Sequence, residues 1–445
     1  MKNIYSILIL LFFLTTTSHA QVLQQVYVLN EGAFNNANAS VTSFNPVSNQ
    51  VSQNVFFNAN SRPLGDIANF SKIINDKLFI IVSNSNKIEV VDPETFVSED
   101  IIFVDDQGGA SPTVFAQADE NRLYITNLLG DNVSILDLNT HTITGNIEIG
   151  NNPEGIAVAN GFAYVAVNAF GSDNKLVIID ISADEVVKTL TVQDNPRYVF
   201  TPSDGLVWVL CTGNYGFDDD FNFDPELETF GEIHIIDPQT NEVVEFVETG
   251  GHPLWMDFNE ADGKAYILND GIQVLNLDTL EMEEELLTDK AYYSLAFWHG
   301  ENPVIFAGFA PDFSSSGTVD ILSVQGDVID TFTAGIGPSF FQFIYDDTAT
   351  STPRDEIASR ISLEQNYPNP FNPSTEIRYE ISEAGNVRLN VYNIQGQLIQ
   401  TLVDGAQPAG THTARFNATG LASGVYIYTL ETNNGILTRK MTLVK

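Results

Sequence analysis

The residues of this chain with binding chemistry to offer are scattered, each beside an apolar run: Asn30, Asp66, Asn127, Glu154, Asn168, Arg197, Tyr198, Asn214 and Trp255. Carboxylates and amides hydrogen-bond hydroxyls and amines, while Tyr198 and Trp255 offer flat faces on which a sugar or a planar ring stacks. Arg197 stands out as one of eleven Lys and Arg set against fifty-two Asp and Glu between residues 21 and 359, a net of −41. Each of these residues also has a plainer role open to it. Asn serves turns, and an aromatic side chain packs a core. Chemistry of the catalytic kind is harder to find. His141, His234, His252 and His299 stand far apart, no Gly-rich phosphate loop joins a strand to a helix, and no Gly-x-Ser-x-Gly elbow occurs. The insert Asn214–Glu226 mixes aromatic rings with carboxylates, and its acidic part, 216–226, poses a choice between a solvated loop and a calcium site. Its spacing is not that of an EF-hand, so the metal stays unassigned.

The elements that must position these residues come from a repeat. Proline recurs at Pro63, Pro112, Pro153, Pro196, Pro253 and Pro338, at intervals of 49, 41, 43, 57 and 85 residues, and Tyr292-Tyr293-Ser294 stands unprolined within the longest interval. After each comes a strand ending near Asn, as in Leu123–Asn127, Ala163–Asn168 and Ala265–Asn269, then an aliphatic strand closing on Asp, as in Val133–Asp137, Leu176–Asp180 and Ile233–Asp237. Six such four-stranded units are complete. Pro338–Tyr345 with Val26–Asn30, Ser40–Asn45 and Val51–Phe57 makes a seventh and closes a ring that leaves no long unpaired edge. The fold class is all-β: a seven-bladed β-propeller over residues 21–345, followed by a small C-terminal β-sandwich. In a propeller the loops before first strands and after second strands share one side of the disc, so the residues named above converge on one face.

Tyr124–Asn127 and Asn152–Val158 resemble the YncE-like, or YVTN-type, propellers, and Val28–Gly32, Asn35–Asn38, Arg62–Asp66 and Asn195–Tyr198 are similar to Bacteroidetes surface propellers that include vitamin B12-capturing lipoproteins. The resemblance implies a ligand gripped on one face. Those lipoproteins carry a lipid-modified cysteine, whereas the single cysteine here is Cys211, inside an apolar strand. Related folds include lactonases and quinoproteins, so a lactonase- or lyase-type enzyme stands as an alternative to a non-enzymatic binding protein, and a structural or adhesive surface protein as a third.

The two ends of the chain concern export. Residues 1–20 read as a signal peptide: Lys2, an apolar run from Ile4 to Leu14, and Ser18-His19-Ala20 at the cleavage spacing. No other run approaches the ~20 apolar residues of a transmembrane helix. One cysteine allows no internal disulfide. Residues 346–360 are a polar linker, and residues 361–445 alternate as short strands behind the string Tyr367-Pro368-Asn369-Pro370-Phe371-Asn372-Pro373. That string, with Gly424 and Tyr426, is similar to the type A sorting domain of the type IX secretion system, which implies passage through the outer membrane with that machinery as partner. So acidic a surface repels phosphate backbones and anionic headgroups, which excludes nucleic acid and leaves a small molecule, a glycan or a surface protein as partner of a monomer. No cofactor beyond calcium is expected.

Overall fold

The structure is a computed structural model that describes residues 22–346, apart from 106–107, 172, 218–221, 285 and 301. It also describes residues 361–444, apart from 364–365, 367, 382–384, 394–397, 409 and 433–434. The signal peptide, the linker after residue 346, Tyr367 and the centre of the acidic insert lie outside the described residues. The described chain falls into two compact units, divided after the propeller's last strand.

The first unit holds seven four-stranded antiparallel sheets, the blades of a propeller. Blades 1 to 6 begin with the innermost strands Ala68–Ile74, Pro112–Gln117, Pro153–Ala159, Pro196–Phe200, Trp255–Asn259 and Ser294–Trp298. Blade 7 is built from both ends of the unit: Pro338–Asp346 innermost, then Val22–Asn30, Ser40–Asn45 and Gln50–Ser52. Its register sets Val26 opposite Phe343 and Val28 opposite Phe341, so the two ends of the ring are hydrogen-bonded together. The expected strand Val51–Phe57 is shorter. It stops at Ser52, Asn54 turns the backbone with φ 55°, and Val55–Asn60 forms one short helix that drops Phe56 into the core between blades 7 and 1. A hydrophobic anchor there outweighs a few more edge hydrogen bonds.

Second and third strands are buried on both faces, because each blade is sandwiched by its neighbours. Lys77–Val82 and Phe162–Val167 are apolar runs for that reason, whereas the outer strand Glu242–Glu248 is exposed almost throughout. Seven apolar clusters lie one at each blade–blade contact. A tyrosine of the second strand reaches across several of these contacts. The Tyr124 hydroxyl donates to Asp184 and the Tyr164 hydroxyl to Asn241, each on the next blade's outer turn, and Tyr27 donates to the Pro93 carbonyl at 2.6 Å. In these three blades the ring is buried and its O–H is satisfied.

The repeat prolines have a physical reason. An innermost strand is a sheet edge facing the channel, so a residue without N–H costs no ladder bond at its start. Pro112, Pro153, Pro196 and Pro338 are each the first residue of theirs, preceded by Ser111, Asn152, Asn195 and Gly337 at φ 53°, 53°, 56° and 61°. Pro63 and Pro253 stand ahead of their strands.

The second unit is a sandwich. Ile361–Leu363, Ser374–Ile381 and Gly410–Asn417 form one sheet; Leu398–Gln407, Gly385–Asn393, Gly424–Thr432 and Gly435–Leu443 form the other. Val387, Leu389 and Val391 share the buried face with Ile377, Phe416 and Tyr428. The proline string is tied to this core rather than free: Phe371 is 1% exposed, its N–H donates to Thr442 O at 2.9 Å, and Val444 N–H donates to Phe371 O at 3.0 Å. Asn369 Oδ1 accepts from Thr442 N at 2.8 Å. Tyr426 packs inside and donates to Ala422 O at 2.8 Å.

Candidate binding pocket at the channel mouth

The innermost strands converge on the propeller axis, and the residues just inside their starts decide what the channel can admit. Four aromatic rings from four blades close it. Phe70 and Phe340 have centroids 5.0 Å apart, Tyr198 and Trp255 4.6 Å, and Trp255 and Phe340 6.2 Å, mostly in edge-to-face or tilted arrangements. With Val114 they separate two cavities. One of about 200 Å³ opens on the face where the innermost strands begin, and one of about 520 Å³ lies beyond the plug.

The mouth cavity is lined by Thr113, Glu154, Arg197, Leu254 and Ser339, each the residue immediately after a repeat proline. Hydroxyls there stitch blade to blade: Thr113 Oγ1 donates to Glu154 O at 3.0 Å, Ser294 Oγ to Pro338 O at 2.6 Å, and Ser339 Oγ to Ala68 O at 3.2 Å. Two polar pairs stand above this ring. Arg197 meets Glu154 with Nε 3.1 Å from both carboxylate oxygens and Nη2 2.6 Å from Oε1, and Asn168 Nδ2 donates to the same carboxylate at 2.6 Å. Glu31 accepts from the Tyr293 hydroxyl at 2.8 Å. Burial works against the Arg197 charge, but Glu154 outweighs it and holds the guanidinium above its usual range. Burial pushes Glu31 up to about 7, against the hydrogen bond from Tyr293 and the charge of Arg197. The Tyr198 hydroxyl is lifted to about 12, again chiefly by burial, and Tyr293 is raised further by burial and by Glu31. Arg197 also lies 5.3 Å from the Tyr198 ring centroid. Around the rim, loops between second and third strands present exposed Phe34, Phe170 and Phe313, and Tyr215 of the insert stacks on His252 at 4.0 Å.

Of the residues singled out from sequence, Glu154, Arg197, Tyr198 and Trp255 come together in this cavity, and Asn168 joins through Glu154. The others sit elsewhere. Asn30 is fully buried, donating to Thr42 Oγ1 at 3.1 Å and accepting from Gly335 N at 2.9 Å. Asn127 is likewise buried and donates to Asn132 and Ser134, both at 2.8 Å. Asp66 accepts from Asn35 N at 2.8 Å and holds two loops together with Asn84. Asn214 folds the insert by accepting from Gly216 and Phe217 N–H groups, at the head of the hairpin Tyr215–Phe217 with Phe223–Glu228. No group of three or more His, Cys, Asp or Glu suited to a metal occurs among the described residues. Glu31, Asn69, Phe70, Tyr293 and Phe340 line the mouth without having been singled out. The position after the proline was a usable signal for five of the fourteen lining residues. Glu31 reaches the mouth from the end of a second strand, which only ring closure places there.

Gly155 sets the spacing of this site. A Cβ there would stand 2.4 Å from Arg197 O and 2.7 Å from Tyr198 Cα, so the third and fourth innermost strands approach as closely as they do only because the residue is glycine. Gly155→Ala is expected to cost about 1–3 kcal/mol and to displace Arg197 and Tyr198 together. Thermal melting checks the first expectation, and the second would show as lost ligand binding in a variant that still folds.

The fold and the tail together define a class: a β-propeller carried by a type IX sorting domain. Residues 365–444 match the family model of the secretion system C-terminal sorting domain, and residues 24–217 match a domain of unknown function (DUF5074). No curated protein matches the chain. Among solved structures, a quinoprotein alcohol dehydrogenase-like protein from Bacteroides thetaiotaomicron is 15% identical with a TM-score of 0.55, over 73% of this chain and 79% of its own. Kuenenia stuttgartiensis hydrazine synthase is 17% identical with a TM-score of 0.47, over 63% and 96%. PorZ, a surface component of the type IX secretion system of Porphyromonas gingivalis, is 10% identical with a TM-score of 0.45, over 91% and 63%. These are likenesses of fold. The sorting domain marks the protein for export by the type IX system to the cell surface or beyond it, and no described helix is long and apolar enough to cross a membrane.

Proposed function

We propose that this is a non-enzymatic binding protein, exported behind its signal peptide and sorting tail, that holds a small molecule or a protruding group of a partner in the mouth of its propeller channel. The observation that carries this reading is the mouth cavity itself: a dead end floored by aromatic rings and lined by charged and hydroxyl groups from five blades. Such a floor gives a ligand apolar area to bury, and the groups above it give orientation. The exposed rim aromatics extend the surface available to anything larger than the cavity.

A thermal-shift screen of the purified chain against corrinoids, glycans, amines and divalent cations tests this, because a ligand that binds only the folded state raises its midpoint. A ligand at about a hundred times its Kd stabilises by about 2.7 kcal/mol. That gain is expected to vanish in Trp255→Ala, which removes part of the floor. A hit that survives Trp255→Ala places binding elsewhere. Calcium-dependent turnover abolished by a chelator would replace this reading with an enzyme of lactonase or lyase type, and binding to cells or matrix with a silent screen would replace it with an adhesive one.

A further inference from the structure

The mouth cavity offers more hydrogen-bond acceptors than its own residues use. Among the described residues the Glu31 side chain receives one bond, from the neutral Tyr293 hydroxyl, and no ion pair. Arg197, the cation among the lining residues, is already engaged by Glu154 through Nε and Nη2. An occupant therefore has to bring donors, and a positive charge answers Glu31. Resting on the binding reading above, we propose that the group taken at the channel mouth is a protonated alkylamine, its ammonium on the Glu31 carboxylate with its carbons against the aromatic floor. A neutral polyol meets the acceptors but leaves the carboxylate's charge uncompensated. An anion meets two carboxylates in a domain of net −41. Aromatic faces around an ammonium add cation–π attraction. A free amine and a lysine side chain on a polypeptide share this chemistry.

The groups that face Glu31 are Tyr293, Tyr198, Arg197 and Glu154. Both tyrosines are pushed above their ordinary value and stay neutral near pH 7, and Arg197 stays charged, so Glu31, raised to about 7, is the group that meets the amine in two states. The amine binds the ionised form. Below pH 7 it must first expel a proton, and affinity falls by up to about tenfold per pH unit. Without ligand the sign reverses. A carboxylate whose folded pKa, about 7, lies above its ordinary 4.5 contributes stability at low pH that is lost as pH rises through that interval.

Titration calorimetry on the purified chain decides, with putrescine, acetyl-lysine amide, 1,4-butanediol and glucose as probes. Putrescine or the lysine amide is expected to bind at about pH 8, at least about tenfold more weakly at about pH 5.5, and not measurably to Glu31→Gln; which of the two binds names the source. Butanediol binding as tightly as putrescine, or an affinity for putrescine unchanged in Glu31→Gln, overturns the amine while leaving the pocket reading in place. Silence from all four probes together with the glycan and corrinoid screen sinks both. Should Glu31→Gln fold poorly, the pH profile of the parent still decides. A ligand-free Glu31→Gln that melts above the parent at about pH 8, and level with it near pH 4, supports a carboxylate held for a ligand. A lower midpoint at pH 8 contradicts it.

Discussion

Arg197→Ala should destabilise the propeller by about 2–4 kcal/mol, the largest loss of stability expected from any single change in the site. The guanidinium meets both carboxylate oxygens of Glu154, whose side chain is 13% exposed. Deleting it leaves that carboxylate with Asn168 as its remaining side-chain hydrogen-bond donor. The cost is set at the lower end for a broken buried pair, because the Arg197 side chain is 30% exposed and water can enter the gap. The sign with pH follows. Stripped of its cation, Glu154 is expected to hold its proton more tightly when folded than when unfolded, so the variant should lose stability relative to the parent as pH rises. Glu154→Gln in the same chain removes the orphaned charge and should recover much of the loss. A double-mutant cycle read by melting at pH 5 and pH 8 measures this. Additive effects of the two substitutions would show that the pair is not coupled.

Phe371→Ala should be comparably costly in the other unit. The ring is 1% exposed, lies 5.9 Å from Phe416, and is clamped by its own N–H and C=O to Thr442 and Val444. Removing a buried Phe costs about 3–5 kcal/mol. A domain of some 85 residues has a total of only about 5–15 kcal/mol to lose. The tail of this variant should therefore melt well below the parent's while the propeller's transition is unmoved. In cells the exported fraction should fall and protein should collect in the periplasm, the outcome expected of a sorting signal read as a folded surface. Full export of a variant with a melted tail would show instead that the machinery reads the linear motif.

Much of this architecture is written locally. The proline interval, the Tyr of the second strand and the Asp turn after the third are demands of one blade on its neighbours, so they repeat and can be read without coordinates. The tail is legible for the same reason, since Val387, Leu389 and Val391 alternate toward a core that the structure duly fills. Turn-serving Asn residues mislead: Asn30 and Asn127 sit at strand ends beside the face yet donate their amide N–H groups to partners within their own blades, and the Asn30 oxygen accepts from Gly335 N of blade 6. Local pattern cannot separate an Asn that holds a turn from one that holds a ligand, because both need the same strand-end position.

What the sequence determined by itself is the ring: the number of blades, the closure by both ends of the domain, the sorting tail and the sign of the surface. The pocket was decided by tertiary structure. Glu31 and Tyr293 come from blades 7 and 6, separated by 262 positions along the chain, and they meet because ring closure brings the end of an N-terminal strand to the axis. The plug of Phe70, Tyr198, Trp255 and Phe340 likewise exists only as a convergence of four blades. Periodicity records what each blade requires of the next, but the axis is where all seven meet, and each blade contributes there only one to three side chains.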